Sequence, residues 1–419
     1  MKTRIKQIVG WVCALAVVAG ANSPFVRQIF AIPDHILISE GQAYTLEIPG
    51  LFTAQKNDTA VTKLMGTTLS DTGGNVDLLA QQPGEDKLTL EILGIPVKQV
   101  ALEVTPEKNV MLGGQAIGVA LYTKGALVVG TSDIMDSYGN LRNPANEAGL
   151  LAGDTILSVN GQEVQNAVHL SELINVGNSD PLQMHISRSG KEMDVSLTPI
   201  LDPQDSVWRL GLWVRDSTAG VGTLTYLDPA QKWYGSLGHG IADSDTGNYL
   251  TVKNGEIYES HILGIQQGKV GEPGELQGDF FDQPLALGDI AQNNAFGLYG
   301  HSYAALDTLL KGRSIPIGLH STVQPGEAQI VTTLDDSGPQ RYTCEIERVT
   351  QQGTPTPKSM VLRVTDPELL SRTGGIVQGM SGSPIIQNGC LVGVVTHVFV
   401  NDPTRGYGMF IEWMLAQEP

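Results

Sequence analysis

The sequence predicts a mainly β, multi-domain chain whose C-terminal half is a closed β architecture. Glycine is frequent, at 49 of 419 residues, while aromatics make up only 6%, a composition of turns rather than of a helical bundle. Stretches such as Tyr342-Thr343-Cys344-Glu345-Ile346-Glu347 alternate apolar and polar residues with a period of two. Asn388-Gly389 stands between the apolar runs 385–386 and 391–395, a strong hairpin signal. This length predicts about two to four domains with chain enough for real cores. A net charge of −18 and a pI near 4.8 leave no basic footprint for phosphates, which excludes nucleic-acid binding.

At the N-terminus, Lys2, Arg4 and Lys6 precede an uncharged, mostly apolar run over 8–21. Basic residues ahead of such a run keep the N-terminus cytoplasmic and send the rest across the membrane. The run is short for a spanning helix, and Ala19-Gly20-Ala21 fits a signal-peptidase site. Apolar residues continue past it through Phe25, Val26, Ile29 and Phe30, extending an anchor that Arg27 interrupts. Residues 1–32 are therefore expected to be a membrane anchor or signal segment. Residues 33–107 read as a small β-rich region, with a loop-like stretch over 57–84 and no assigned chemistry. Of the three cysteines, Cys13 lies in the apolar run, and Cys344 and Cys390 fall on core faces; no disulfide and no metal site is expected.

Ala148-Gly149-Leu150-Leu151-Ala152-Gly153-Asp154 leads into Thr155-Ile156-Leu157-Ser158-Val159-Asn160-Gly161. Gly-Asp there ends a short helix and opens a strand, and Asn-Gly closes a tight hairpin. With this block, residues 108–200 resemble a bacterial PDZ domain. The resemblance assigns Gln115, Ala116, Ile117, Gly118 and Val119 to the carboxylate-binding loop and its strand, and 168–174 to the groove helix. A peptide would add there as an extra strand, its carboxylate bonded by loop N–H groups.

Residues 201–206, Leu-Asp-Pro-Gln-Asp-Ser, read as the linker into a domain spanning 201–419. Within it, 268–278 reads as an exposed loop, 304–311 as a short helix and 410–416 as a terminal helix. Its chemistry centres on Gly379-Met380-Ser381-Gly382-Ser383-Pro384. Flanking glycines let the backbone bend without a Cβ clash, so that two N–H groups converge beside the Ser381 hydroxyl. That is what an oxyanion hole requires. Such a turn feeding a hairpin resembles the nucleophile region of trypsin-like serine proteases, and by that resemblance the N–H groups of Gly379 and Ser381 are the expected oxyanion donors. A serine hydroxyl needs a base and a group to orient that base. His239, in Ser236-Leu237-Gly238-His239-Gly240-Ile241-Ala242-Asp243, has glycine on both sides, which gives substrate close access to the imidazole. His397, at the end of the 391–395 run, is its rival. Asp243 and Asp245 follow His239 and also read as a turn. A calcium loop there is discounted, because Asn254 stands where a bidentate glutamate would be needed. Asp366 precedes Pro367, and this pair also reads as a helix N-cap with proline at the first helical position.

Three separated blocks, namely the His239 segment, Val364-Thr365-Asp366-Pro367, and Gly375-Ile376-Val377-Gln378-Gly379-Met380-Ser381-Gly382-Ser383, together resemble the stage IV sporulation protein B peptidase family. The resemblance implies a trypsin-like double β-barrel preceded by the PDZ module. It also implies a triad with His239 as base, Asp366 as orienting acid and Ser381 as nucleophile, and no cofactor. By the same resemblance the chain is membrane-anchored, facing the space between the two forespore membranes. There it would cut itself and then the extracytoplasmic part of a membrane-bound regulator, freeing an intramembrane protease to process a late mother-cell sigma factor. The PDZ ligand would be a partner's C-terminal tail or the chain's own N-terminal region. Two other readings compete: an envelope quality-control protease with a PDZ sensor, and a non-catalytic PDZ adaptor with an inert barrel. PDZ-before-protease order argues against the first, and retention of Ser381 and His239 against the second.

Overall fold

The computed structural model describes residues 29–419 apart from 31, 51, 56–58, 71–72, 178, 281–284 and 351–353. Nearly all of the expected anchor lies outside the described residues, and so does Cys13. No helix among the described residues is long and apolar enough to cross a membrane. The chain divides into one unit of residues 1–109 with 316–323, and a second of 110–315 with 324–419.

The first unit contains two sheets. His35–Ser39, Ile95–Thr105, Gly84–Ile92 and Thr53–Gln55 form one, with His35–Ser39 parallel to its neighbour. Ala43–Ile48, Gly73–Ala80 and Thr62–Ser70 form the other. The loop expected over 57–84 is thus corrected to strands. Val76 and Leu78 enter the core, while Asn75 beside them is exposed. Ile36, Ile38, Leu46, Phe52, Leu88 and Leu102 share that core. Each such side chain contributes about 1.5–3 kcal/mol by leaving water.

In the second unit, after the short strand Asn109–Leu112, comes the long strand β1, Ala116–Thr131. Beyond it come α1 (Pro144–Glu147), β2 (Thr155–Val159), α2 (Ala167–Gly177), β3 (Leu182–Arg188) and β4 (Lys191–Leu197). The chain returns in β5, Leu212–Asp228. Both long strands serve two sheets. The outer part of β1 pairs Leu127 and Ala126 with Thr155 and Ile156 of β2, and Thr131 to Leu127 with Leu212 to Arg215 of β5. Its inner part, Ala116 to Tyr122, pairs with Thr223 to Ser217 of β5 and with strand β7 below. The change of sheet falls at Gly125, whose φ of +76° no β-branched residue would tolerate and where a Cβ would meet the Ile156 carbonyl at 2.3 Å. A bulge between Arg215 and Ser217 answers it on β5.

The PDZ module is therefore an insertion between two strands of the barrel half that follows. Ala116–Thr123, within the expected 108–200 module, pair with strands of the expected 201–419 domain. The segment expected as a linker at 201–206 includes the turn that joins the paired strands Ile200–Asp202 and Val207–Arg209. Ala126, Val128, Ile156, Leu170, Leu182 and Ile186 form the inserted module's own core. At its edge Arg188 forks onto the buried Asp154 at 2.7 and 2.6 Å, and the Leu151 N–H donates to the same carboxylate.

After β5, strands β6 (Trp233–Ser236), β7 (Val252–Glu259), β8 (Ala286–Asp289) and β9 (Gly297–His301) complete the first barrel half around Ile117, Val119, Leu224, Tyr234, Ile257 and Leu298. The segment expected as a loop at 268–278 ends in a strand, since Glu275–Asp279 pairs with His261–Gln266. The short helix expected at 304–311 is Ala304–Leu309. The second half is a closed six-stranded antiparallel barrel. Its strands are β10 (Gly326–Thr333), β11 (Pro339–Val349), β12 (Met360–Val364), β13 (Pro384–Gln387), β14 (Cys390–Phe399) and β15 (Asp402–Phe410). Tyr342, Cys344 and Ile346 of β11 point inward, as their alternation requires. Between β12 and β13 lies helix α3, Pro367–Thr373. A double β-barrel with an inserted PDZ module is the result.

Replacing Arg188 with alanine would strand the Asp154 carboxylate, which is 1% exposed. Arg188 itself remains a third exposed, so the expected loss is about 2 kcal/mol, below the range for fully buried pairs. Urea unfolding of the Arg188→Ala variant measures it.

Candidate active site

The two barrel halves meet at the turn that carries Ser381, and β5 holds that turn from below. The Thr223 hydroxyl donates to the Gly379 carbonyl at 2.8 Å, the Thr223 N–H to the Ser381 carbonyl at 2.9 Å, and the Thr225 hydroxyl to the Gly382 carbonyl at 2.8 Å. Contact this close requires glycine at 382, where φ is +97° and a Cβ would meet the Thr223 carbonyl at 2.0 Å. The N–H groups of Met380, Gly382 and Ser383 donate to Val377, Val395 and Met380 carbonyls. Those of Gly379 and Ser381 find no acceptor among the described residues. Two unused donors thus lie on either side of Met380, one of them on Ser381 itself.

Ser381 Oγ donates to the Thr396 carbonyl at 3.0 Å. It lines a cleft of about 510 Å³ together with Gly379, His239 and His397, walled by Val221, Ile241 and Ile376. The His239 ring is set by its own chain. Nδ1 lies 3.0 Å from the Gly240 carbonyl, an oxygen that can only accept, so Nδ1 carries the proton and Nε2 keeps its lone pair. Burial lowers the His239 pKa, with the Gly240 bond opposing it. His397 stacks obliquely beside it, ring centroids 5.1 Å apart. Its pKa falls to about 4, through desolvation first and then the charges of His239 and Lys358.

The expected acid is not brought to this imidazole. Asp366 is the N-cap of α3: Oδ1 accepts from Glu368 and Leu369 N–H at 3.0 and 3.1 Å, and Oδ2 from Thr343 N–H at 3.1 Å. Both oxygens accept from backbone N–H groups, and no bond joins Asp366 to His239 among the described residues. The rival carboxylates are also engaged elsewhere. Asp243 is buried, ion-paired with Arg215 and bonded to the N–H groups of Asp245 and Thr246; Asp245 meets the same guanidinium at 2.9 Å.

The assigned PDZ loop is corrected as well. Ala116, Ile117, Gly118 and Val119 pair on one edge with Thr223 to Gly220 and, from Ile117 on, on the other with Glu259 to Ile257. Gln115 is buried and its carbonyl accepts from Leu224. No edge is left there for an added strand. In the PDZ module, Leu212 to Arg215 of β5 pair only with β1 among the described residues. Thr223, Thr225 and Asn293 were not legible as site residues. Asn293 accepts from the Ile241 N–H at 2.7 Å and donates to the Ile241 and Leu250 carbonyls, clamping the segment beyond His239. Nothing local in the sequence marks them, because their partners are distant backbone groups.

A family model described as SpoIVB peptidase S55 matches residues 206–415, and a PDZ model matches 138–184. The zinc metalloprotease RasP of Geobacillus kaustophilus is 25% identical over 134 residues, 31% of this chain and 31% of that protein. A probable periplasmic serine endoprotease, DegP-like, of Bartonella henselae is 26% identical over 145 residues, 32% of this chain and 27% of that protein. The chain spans about a third or less of the length of these relatives. Among solved structures, the PDZ domain of an SdrC-like protein from Listeria monocytogenes aligns at 16% identity over 22% of this chain and 87% of that one, with a TM-score of 0.18. Because the S55 match extends over half of the sequence and takes in both His239 and Ser381, the chain belongs to the SpoIVB peptidase S55 family.

Proposed function

We propose that this chain is a serine endopeptidase working through Ser381 and His239, with the N–H groups of Gly379 and Ser381 as its oxyanion hole. The observation that carries the reading is the pair of unused N–H donors beside the Ser381 hydroxyl, in one cleft with an imidazole whose Nε2 is free. Ser381 Oγ leaves the Thr396 carbonyl, gives its proton to His239 Nε2 and attacks the substrate carbonyl carbon. The resulting oxyanion takes both N–H bonds. Collapse passes the proton to the leaving amine and leaves an acyl-enzyme, which water cleaves by the same route. Throughout, the Gly240 carbonyl holds the tautomer, the task a carboxylate performs in the usual triad.

Membership of the S55 family supports a narrower role in sporulation signalling. The chain would be tethered outside the cytoplasm by its N-terminal segment, facing the space between the forespore membranes. It would cut itself and the extracytoplasmic part of a membrane-bound regulator, so that an intramembrane protease can process a late mother-cell sigma factor. The PDZ module would take a C-terminal tail or the chain's own N-terminal region along the free edge of Leu212 to Val214. Loss of spore formation in Ser381→Ala cells, with the regulator left intact, is the expected outcome in vivo.

Fluorophosphonate is expected to label Ser381 and no other residue, as located by peptide mass mapping. His239→Ala and Ser381→Ala should lower peptide hydrolysis by on the order of 10⁵–10⁶. Since burial lowers the His239 pKa, the neutral base persists into mild acid. The acid limb of kcat/KM is therefore expected to have its midpoint below about 6.5, the ordinary histidine value. Asp366→Ala should cost about 1 kcal/mol through the lost cap. Asp366→Asn keeps the capping oxygen, and its labelling rate is expected to stay within about threefold of wild type, since uncharged Asn caps as well as Asp.

A further inference from the structure

Adjacent residues of β5 tie it to two different elements. Asp216 Oδ2 accepts the N–H of Ala167, the first residue of α2 in the PDZ module, at 2.8 Å. Arg215 reaches the other way, into the turn that follows His239. Its Nη1 meets Asp243 Oδ2 and its Nη2 meets Asp245 Oδ2 at 2.9 Å. Asp243 and Asp245 are the carboxylates bonded to this guanidinium. Nothing in the catalytic chemistry above uses these contacts.

The turn they hold is tightly built. Asp243 Oδ1 accepts from Asp245 and Thr246 N–H, its own N–H donates to the Asn248 carbonyl at 2.9 Å, and its side chain is wholly buried. With Arg215 bonded to one oxygen of this buried carboxylate and two backbone N–H groups to the other, the turn cannot shift without carrying Arg215 along or breaking these bonds. The far side of the turn touches the PDZ module directly: a Cβ on Gly153 would lie 2.8 Å from Asn248 Nδ2. Between Asp243 and His239 lies the Gly240-Ile241 peptide. Its carbonyl fixes the His239 tautomer, and the Ile241 N–H is pinned by Asn293. Rotation of this one peptide plane would turn the imidazole.

We infer that Arg215 is a positioning residue for His239, and that through β5 and Asp216 it ties the setting of the catalytic imidazole to the state of the PDZ module. A peptide adding along Leu212 to Val214 ends beside Arg215, and a displacement of α2 reaches Asp216. Either changes where the guanidinium sits, and hence the Gly240 carbonyl. The inference rests on His239 acting as the base, as proposed above.

The test uses the full chain with isotope-labelled histidines, the His239 resonance being assigned with His239→Gln. Its pH titration is followed in wild type, Arg215→Ala, Arg215→Lys and Asp216→Ala, beside the rate of fluorophosphonate labelling. In Arg215→Ala the His239 midpoint is expected to move toward about 6.5 as the ring loosens. Labelling should slow by on the order of tenfold to hundredfold, the cost of a misplaced reacting group. Arg215→Lys should fall between, because an ammonium keeps the charge but cannot fork to two carboxylates. Asp216→Ala should move the His239 titration in the same direction without touching its turn. A folded Arg215→Ala or Arg215→Lys protein whose His239 titration and labelling match wild type overturns the inference; if the alanine variant fails to fold, the lysine variant decides. A wild-type chain that takes no label, yet whose His239 titration responds to Arg215, would sink the peptidase reading and leave the coupling standing.

Discussion

The hydrogen-bond ladder between β1 and β5 is the interaction on which the rest of this molecule depends. Sixteen residues of one strand and seventeen of the other run from the PDZ sheet into the peptidase sheet, paired on both sides of a break at Thr123–Ala126. A backbone ladder transmits displacement well, because each N–H and C=O must keep a partner once buried. The two modules therefore share covalent and hydrogen-bonded structure rather than a linker. Gly125 and the bulge at Arg215–Ser217 make this possible: the two strands part at Thr123–Ala126 and Asp216, turn, and pair again on the other side.

The nucleophile turn depends on the same strand. Thr223 and Thr225 take up three carbonyls of the turn, and Gly382 lets the two backbones approach within the reach of those bonds. Saturating the carbonyls while leaving two N–H groups unpaired orients the peptide dipoles toward the cleft before any substrate arrives. Preorganisation of that kind is where most electrostatic stabilisation of an oxyanion originates, since nothing has to reorganise during reaction.

The imidazole is oriented with less charge than a carboxylate would supply. A carbonyl acceptor fixes the tautomer as a carboxylate does, but it contributes a dipole rather than a full charge to the imidazolium. Burial further favours the neutral ring. In the proposed mechanism His239 would be a base ready at low pH and reluctant to stay protonated, and Asn293 bonds the N–H of the peptide that follows Gly240.

Much of this was written in the linear sequence. The glycine-flanked serine and histidine, the Asn-Gly hairpin and the strand alternation of Tyr342 to Ile346 follow from local sterics and period-two burial, which neighbours in sequence determine. So does the Asp366-Pro367 pair as a helix start, because capping is a contact within one turn. Tertiary structure alone decided the rest. Ala116–Val119 look like a PDZ strand by composition, and only their pairing with Thr223–Gly220 and Glu259–Ile257 assigns them to the peptidase sheet. Where the PDZ module sits, which carboxylates reach His239 and which threonines brace the nucleophile turn are all set by pairings between residues tens to hundreds of positions apart. Local propensity carries no record of such pairings, since their free energy appears only when distant strands share one ladder.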